Sequence, residues 1–185
     1  MTDYNRAARL AYKTLLALHI ETLPVDPLQI LSFCRNTTVH TYTEVMYLFG
    51  KTSRSAFKAD CMEGKEAMTI RRDFGSRIGY ELIYDNHVQP LRQRFTLAHE
   101  LGHILMKHHD ETPSEEREAD YFASQLLAPH PIVEAMPDDA DLIASTFHLS
   151  RTASRMTLLP PRHVRDEELY TMIRRQFAVD MPEAI

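Results

Sequence analysis

The sequence has few cysteines and no long hydrophobic run. Cys34 and Cys61 are its only two cysteines, and their spacing fits neither a metal site nor a disulfide framework, so we expect two reduced thiols. No apolar run approaches the roughly 18 residues that a membrane-spanning helix needs. Asp3 and Arg6 precede only an amphipathic stretch, which argues against a signal peptide. We therefore expect a cytoplasmic protein with no membrane partner.

An excess of basic residues is also absent. Of the 185 residues, 26 are acidic and 21 are lysine or arginine, which gives a net charge of −5. This balance argues against general binding to nucleic acid or to an anionic membrane, although it leaves room for a local basic patch. The hydrophobic content of 44% and the charged content of 25% are typical of a globular protein. The length suits one domain with a sizeable core.

The most informative segment is an HExxH motif, His99-Glu100-Leu101-Gly102-His103. Two histidines four residues apart project from the same face of an α-helix, where both imidazoles can bind one metal ion at about 2.1 Å. Glu100 projects roughly 100° away, toward the open side of the ion, where water would bind. Zinc lowers the pKa of such a water to about 7, and a nearby carboxylate can take its proton. The motif therefore predicts a metal hydrolase with His99 and His103 as ligands and Glu100 as the catalytic base.

The residues around the motif support a helix. Pro90 stands at a favoured position for a helix start, and apolar residues follow it at helical spacing. These apolar residues are Leu91, Phe95, Ala98, Leu101, Ile104 and Leu105. We therefore predict a helix over about residues 91–109 with one face buried against a core.

A catalytic zinc site with one open position needs a third protein ligand. A second predicted helix, over about residues 115–128, carries several acids. From the centre of its apolar stripe, Glu116 lies roughly 50° away and Glu118 roughly 110° away. Glu116 is therefore the better ligand, and Glu118 is expected to be a solvated acid. Glu115 lies equally close to the stripe on its other edge and stays an alternative.

Four further residues near these helices have candidate roles. Asp120 lies one turn after Glu116 and could accept a hydrogen bond from a ligand histidine. His108 and His109 follow the metal helix, and either could stabilise the oxyanion of a tetrahedral intermediate. The alternative is a polar helix end that interacts with the last carbonyls. Tyr121 has a similar claim, because a phenol can fill the oxyanion role.

The two predicted helices form one longer pattern, RFTLAHELGHIL at residues 94–105 and EREADYFASQLLAP at residues 116–129. This pattern resembles the ImmA/IrrE family of zinc metallopeptidases, and the resemblance is strong over about residues 92–129. Asp120 stands where the family often has Asn, and Ala128 where it often has Met. Neither difference touches the chemistry.

The resemblance implies a single zincin-like domain and a zinc endopeptidase. His99, His103 and Glu116 would hold the zinc, and Glu100 would be the catalytic base. Manganese or iron could occupy the same ligand set. The implied substrate is a helix-turn-helix transcriptional repressor, whose cleavage relieves repression of stress-response or mobile-element genes.

The order of the predicted elements favours an α+β fold. Strand-prone segments lie at residues 58–72, interrupted by turn residues, and at residues 78–85. We expect a small antiparallel sheet packed against the metal helix. Residues 1–130 would form the metallopeptidase core, and residues 131–185 a helical C-terminal region packed on it.

The strand before the metal helix could contribute to substrate binding. If it lies at the edge of the cleft, an extended peptide can add to it as a further strand. Tyr80, Leu82 and Tyr84 would then border the substrate. The alternative is an internal strand with Leu82 and Tyr84 packed inward.

Residues 141–156 have the pattern of a helix-turn-helix, with Arg151 and Arg155 on the second helix. In DNA-binding proteins such a second helix enters the major groove. However, acids outnumber bases over residues 134–185, and the segment lacks the Lys/Arg cluster that phosphate contacts need. A helical pair packed on the core is therefore favoured, and direct DNA binding is not expected.

Two functions of different classes fit these features. The first is a zinc endopeptidase that cleaves a repressor. The alternative is a regulatory protein that binds and titrates a repressor without cutting it. Only the first requires Glu100.

Overall fold

The structure, a computed structural model, describes residues 2–110 and 112–178. The elements in chain order are α1 (Tyr4–Ala17), α2 (Pro27–Ser32), β1 (Thr37–Thr41), α3 (Tyr42–Leu48), α4 (Arg54–Cys61), β2 (Ala67–Asp73), β3 (Ile78–Tyr84), α5 (Pro90–Met106), α6 (Pro113–Leu127), α7 (His130–Val133), α8 (Ala140–Phe147), α9 (Arg151–Thr157) and α10 (Glu167–Gln176). This mixture of helices with a small sheet confirms the predicted α+β class. The last part of the predicted C-terminal region, residues 179–185, lies outside the described residues. Across the described ranges, no helix combines the length and the apolar character needed to cross a membrane.

The sheet has the strand order β1-β3-β2. β2 and β3 pair antiparallel as expected, with Thr69 opposite Leu82. The prediction of an antiparallel sheet is wrong for β1, which runs parallel to β3. A parallel pair requires a long crossover between its strands, and here α3, α4 and β2 supply it. Residues 58–61, predicted as part of a strand, belong to α4, whose N-terminus is capped by the Ser53 hydroxyl.

The main core lies between the sheet and the long helices α1, α5 and α6. Apolar side chains of these helices are fully buried in it, together with Leu82 of β3. A smaller cluster of Tyr42, Val45, Phe57 and Met62 is formed by α3, α4 and the loop after α4. α5, which carries the HExxH motif, is therefore packed against both the sheet and α6.

The C-terminal helices pack on this core. Ile143 and Phe147 of α8 are fully buried in the main cluster. Arg94 of α5 fixes the end of α8, because its guanidinium donates to the carbonyls of Phe147 at 3.0 Å and His148 at 2.7 Å. Arg151, one of the two arginines of the predicted helix-turn-helix, forms a two-point ion pair with Asp141, so its charge is engaged within the pair of helices.

Candidate metal centre

His99 and His103 lie one turn apart on α5, with their Nε2 atoms 2.9 Å from each other. Glu116 of α6 faces both: its Oε2 lies 3.4 Å from Nε2 of His99, and its Oε1 lies 3.4 Å from Nε2 of His103. A tetrahedral ion with bonds of about 2.1 Å separates its ligand atoms by about 3.4 Å. These three side chains therefore fit a divalent metal ion. In the described ranges they are the one group of His, Cys, Asp and Glu residues with this property.

Close packing of α5 on α6 brings the third ligand into place. A Cβ atom at Gly102 would lie 3.0 Å from Cδ1 of Phe122 and 3.3 Å from the Cα atom of Ala119. The absence of a side chain at this position lets the backbones of the two helices approach. Glu116 lies about one turn before Ala119 on α6, so the same contact sets its distance from α5.

The other two glutamates of α6 have separate tasks. Glu115 belongs to a capping box: its carboxylate accepts from the backbone N–H of Thr112, and the Thr112 hydroxyl accepts from the N–H of Glu115. These hydrogen bonds lower the pKa of Glu115 to about 2. The prediction of Glu118 as a solvated acid is wrong, because its side chain is 8% exposed and points into the protein. The structure thus brings Glu116, and neither Glu115 nor Glu118, to the two histidines.

Asp120 lies where the sequence placed it, beside a ligand histidine. Its Oδ1 is 2.9 Å from Nδ1 of His99. With a proton on Nδ1 donated to this carboxylate, Nε2 of His99 keeps its lone pair for a metal. Burial lowers the pKa of His99, but the hydrogen bond to Asp120 and the surrounding carboxylates outweigh it, so the pKa is raised.

His108 contacts the ring nitrogen of His103 that does not face Glu116. Its Nδ1 lies 3.1 Å from Nδ1 of His103, and its Nε2 lies 3.4 Å from Oε2 of Glu118. The side chain is 4% exposed, and burial lowers its pKa despite the nearby glutamates. Like His109, His108 also lines the metal cleft, so its role as an oxyanion stabiliser stays a prediction.

Glu100 lines an open cleft of about 700 Å³, which His99, His103 and Glu116 also line. The Thr69 hydroxyl of β2 donates to Oε2 of Glu100 at 2.6 Å. Burial raises the pKa of Glu100, and the Thr69 hydrogen bond opposes that rise only in part. A carboxyl group with a raised pKa beside a metal site is suited to accepting a proton and returning it.

One edge of the sheet borders this cleft, and the strand at that edge is β2. The prediction that Tyr80, Leu82 and Tyr84 form a substrate edge is wrong, because β3 lies between β1 and β2. Leu82 is fully buried and Tyr84 is 9% exposed, while Tyr80 lines the cleft from within the sheet. β1 and β3 are some forty residues apart in the chain. The alternation of apolar and polar residues within one strand therefore does not reveal that they pair.

β2 itself runs along the cleft. Ala67, Met68, Thr69 and Arg71 all line it. Met68 projects from the opposite face of the strand to Ala67 and Thr69 and packs near the smaller cluster. Because residues from both faces border the same space, the cleft follows the edge of the strand, where backbone groups are available to a further strand.

The remaining predicted residues are divided between two regions. His109 is exposed and lines the metal cleft, so its oxyanion role stays a prediction. The prediction is wrong for Tyr121, whose hydroxyl lies 2.7 Å from Nδ1 of His163 and accepts from the N–H of Arg162 at 2.8 Å. Tyr121 instead lines a neighbouring groove of about 390 Å³, and Phe95 borders both spaces. His163 had no partner spacing in the sequence, and its contacts come from distant helices.

The comparisons with known proteins agree with this geometry. A sequence model of the IrrE N-terminal-like domain, peptidase family M78, matches residues 61–159, which is more than half of the chain. The matched region contains β2, β3, α5 and α6, and hence every residue of the candidate metal centre. A comparison with curated proteins gives no match to the chain.

Proposed function

Because the chain belongs to peptidase family M78, the IrrE N-terminal-like domains, we propose that it is a zinc-dependent endopeptidase. The observation that carries this proposal is the metal centre itself. One ligand atom from each of His99, His103 and Glu116 lies within 4.8 Å of the other two, and Glu100 lines the same cleft. Two imidazoles and one carboxylate are a donor set that zinc prefers.

Zinc bound there would supply Lewis-acid activation of water and of a peptide carbonyl. Glu100 accepts the proton of the attacking water and later returns it to the leaving amine. Thr69 orients the carboxylate of Glu100 by donating to Oε2, which leaves Oε1 for the water. The raised pKa of Glu100 helps it to carry the proton between these two steps.

The substrate binds as an extended segment along β2. Main-chain hydrogen bonds to the edge of this strand would hold the peptide, and the cleft would take its side chains. Since a helix cannot pair with a strand edge, the scissile bond lies in a loop or linker, or in a segment that unfolds locally. The two histidine ligands stand on the adjacent helix α5, so the peptide passes between β2 and α5.

We further propose that the substrate is a helix-turn-helix transcriptional repressor in the cytoplasm. The support is the family to which the chain belongs and the sequence pattern over residues 94–129. Cleavage of the repressor would relieve repression of stress-response or mobile-element genes. The edge of β2 in this chain and an exposed linker in the repressor are sufficient for recognition. No contact between this chain and DNA is needed.

Co-expression with the repressor encoded nearest to this protein tests the proposal. Glu100→Gln keeps the size of the side chain but cannot take a proton, so it is expected to leave the repressor intact while the wild type removes it. Zinc affinity of the variant is measured in parallel, because unchanged affinity shows that the centre still forms. Equal disappearance of the repressor with both proteins, or its persistence with both at every metal load, contradicts the endopeptidase proposal. Persistence with retained binding of the repressor would instead support a protein that titrates it without cleavage.

A further inference from the structure

His103 has a second buried histidine behind it. Nδ1 of His108 lies 3.1 Å from Nδ1 of His103, and the two rings meet edge to face at 5.0 Å. On the far side, Nε2 of His108 makes no hydrogen bond within the described chain and lies 3.4 Å from Oε2 of Glu118. These contacts align two side chains behind one metal ligand: His108, which follows α5, and Glu118 of α6.

The positions of the protons follow from the metal site. Nε2 of His103 faces Glu116 and must keep its lone pair for a metal, so the ring proton of His103 is on Nδ1. That N–H donates to Nδ1 of His108, which must then be unprotonated. The proton of His108 is therefore on Nε2, where it faces the carboxylate of Glu118.

Glu118 is in turn fixed by the N-terminal helix. Its Oε1 accepts from the backbone N–H of Asp3 at 2.8 Å, and Arg6 lies 3.9 Å from Oε2. Arg6 also donates to the carbonyl of Met106 in the last turn of α5 at 2.6 Å. The carboxylate thus has a defined position, set by α1 as well as by α6.

The two ligand histidines have partners of different character. His99 is held by Asp120, whose side chain is 58% exposed. The partners behind His103 are buried, with His108 4% and Glu118 8% exposed. Water screens charges and competes for hydrogen bonds at the first pair but not at the second. Loss of His108 or Glu118 is therefore expected to lower metal affinity more than loss of Asp120.

We propose that Glu118 and His108 position His103 as a metal ligand and thereby set the affinity of the centre. Glu118 orients the ring of His108, and Nδ1 of His108 holds the ring of His103 with its Nε2 toward the metal. Loss of an outer partner of this kind lowers metal affinity by roughly 10-fold to 100-fold. This role concerns the metal centre alone and is independent of peptidase activity.

Zinc affinity, measured by competition with a chromogenic chelator, tests the proposal. His108→Leu removes the acceptor and keeps the bulk, and it is expected to weaken zinc binding by roughly 10-fold to 100-fold. His108→Asn restores an acceptor near the position of Nδ1 and is expected to recover most of that loss. Glu118→Gln keeps the shape but removes the charge, and roughly a 10-fold loss is expected. His87→Leu, a change at an exposed histidine that does not line the metal cleft, is the control and should bind zinc as the wild type does.

Visible spectra of the cobalt-loaded proteins give a second readout, since a turned His103 ring alters the ligand field. Thermal unfolding in the presence of a chelator shows whether each metal-free variant folds. Wild-type affinity of His108→Leu would overturn the proposal, and so would an equal loss in His108→Asn, because packing rather than an acceptor would then be responsible. If His108→Leu does not fold, the zinc affinities of His108→Asn and Glu118→Gln test the proposal instead. Unchanged affinity of Glu118→Gln would show that the charge of Glu118 has no role in metal binding.

Discussion

Acidification below about pH 6.5 is expected to destabilise the fold through His163, which lies among tyrosines of several helices. Its Nδ1 is 2.7 Å from the hydroxyl of Tyr121, and its Nε2 is 2.9 Å from that of Tyr170 and 3.4 Å from that of Tyr12. The ring of His130 packs edge to face at 6.2 Å. Burial, with a smaller contribution from the charge of His130, lowers the pKa of His163 to about 4 from an ordinary 6.5.

The sign of the effect follows from the lowered pKa. Because the unfolded chain binds the proton more tightly, unfolding takes up a proton between about pH 6.5 and pH 4. The stability that the neutral ring contributes is complete above pH 6.5 and is lost as the pH falls toward 4. The difference between the two pKa values of His163 corresponds to about 3 kcal/mol at 1.36 kcal/mol per pKa unit. That is a substantial part of the roughly 5–15 kcal/mol that a domain of ordinary stability has.

Urea unfolding of the metal-free protein at about pH 7, 5 and 4 measures this loss. His163→Gln keeps hydrogen-bonding groups and does not titrate, so it serves as the comparison. The variant is expected to be the less stable protein at neutral pH, but its stability should fall by about 3 kcal/mol less than that of the wild type on acidification. A constant stability difference between the two proteins at all three pH values would refute the reasoning. Proton NMR of the imidazole signals assigns the titration to His163 directly.

Three further predictions concern the metal centre and its support. Glu116→Gln should weaken zinc binding by more than about 100-fold in chelator competition. Glu115→Gln should keep zinc affinity, because a glutamine at this position still closes the capping box with Thr112. The reverse ranking would make Glu115 the ligand. Gly102→Ala should lower the midpoint of thermal unfolding, measured by circular dichroism. Overpacking against α6 costs about 1–3 kcal/mol, whereas the higher helix propensity of alanine returns roughly 1 kcal/mol. Thr69→Val should slow repressor cleavage by about 10-fold at unchanged zinc affinity, because Glu100 loses its orienting hydrogen bond; an unchanged cleavage rate would remove Thr69 from the mechanism.

The parts of the site that depend on one helix could be predicted from the sequence. The spacing of His99 and His103 fixes their common face, because an α-helix has a constant rise and rotation per residue. The same rule separates Glu116 from Glu118 along α6, but it leaves Glu115 as an alternative. Asp120 follows one turn after Glu116, so it lies on the same side of α6. Local periodicity therefore predicted the two histidines and narrowed the third ligand to two glutamates, and the packing of α5 on α6 decides between them.

The groups behind the ligands could not be predicted in this way. Glu118 lies on the polar side of α6 by angle, yet the N-terminal segment covers it through Asp3, 115 residues earlier in the chain. His108 lies beyond the end of α5, after Lys107 reverses the chain in the left-handed conformation, so helical spacing does not apply to it. The central position of β3 likewise depends on its pairing with β1. These features rest on tertiary contacts that carry no signal at short sequence separation.

Metal binding and core packing reinforce each other in this arrangement. The ligands come from α5 and α6, which are also held together at Gly102, between the two histidines. A metal that binds only the folded chain stabilises it by about 4 kcal/mol at a free concentration of 1,000 times its dissociation constant. In return, any change that separates the two helices moves Glu116 away from both histidines at once. Buried residues that touch no ligand, such as Phe122 against Gly102, therefore contribute to metal affinity through the distance between the helices.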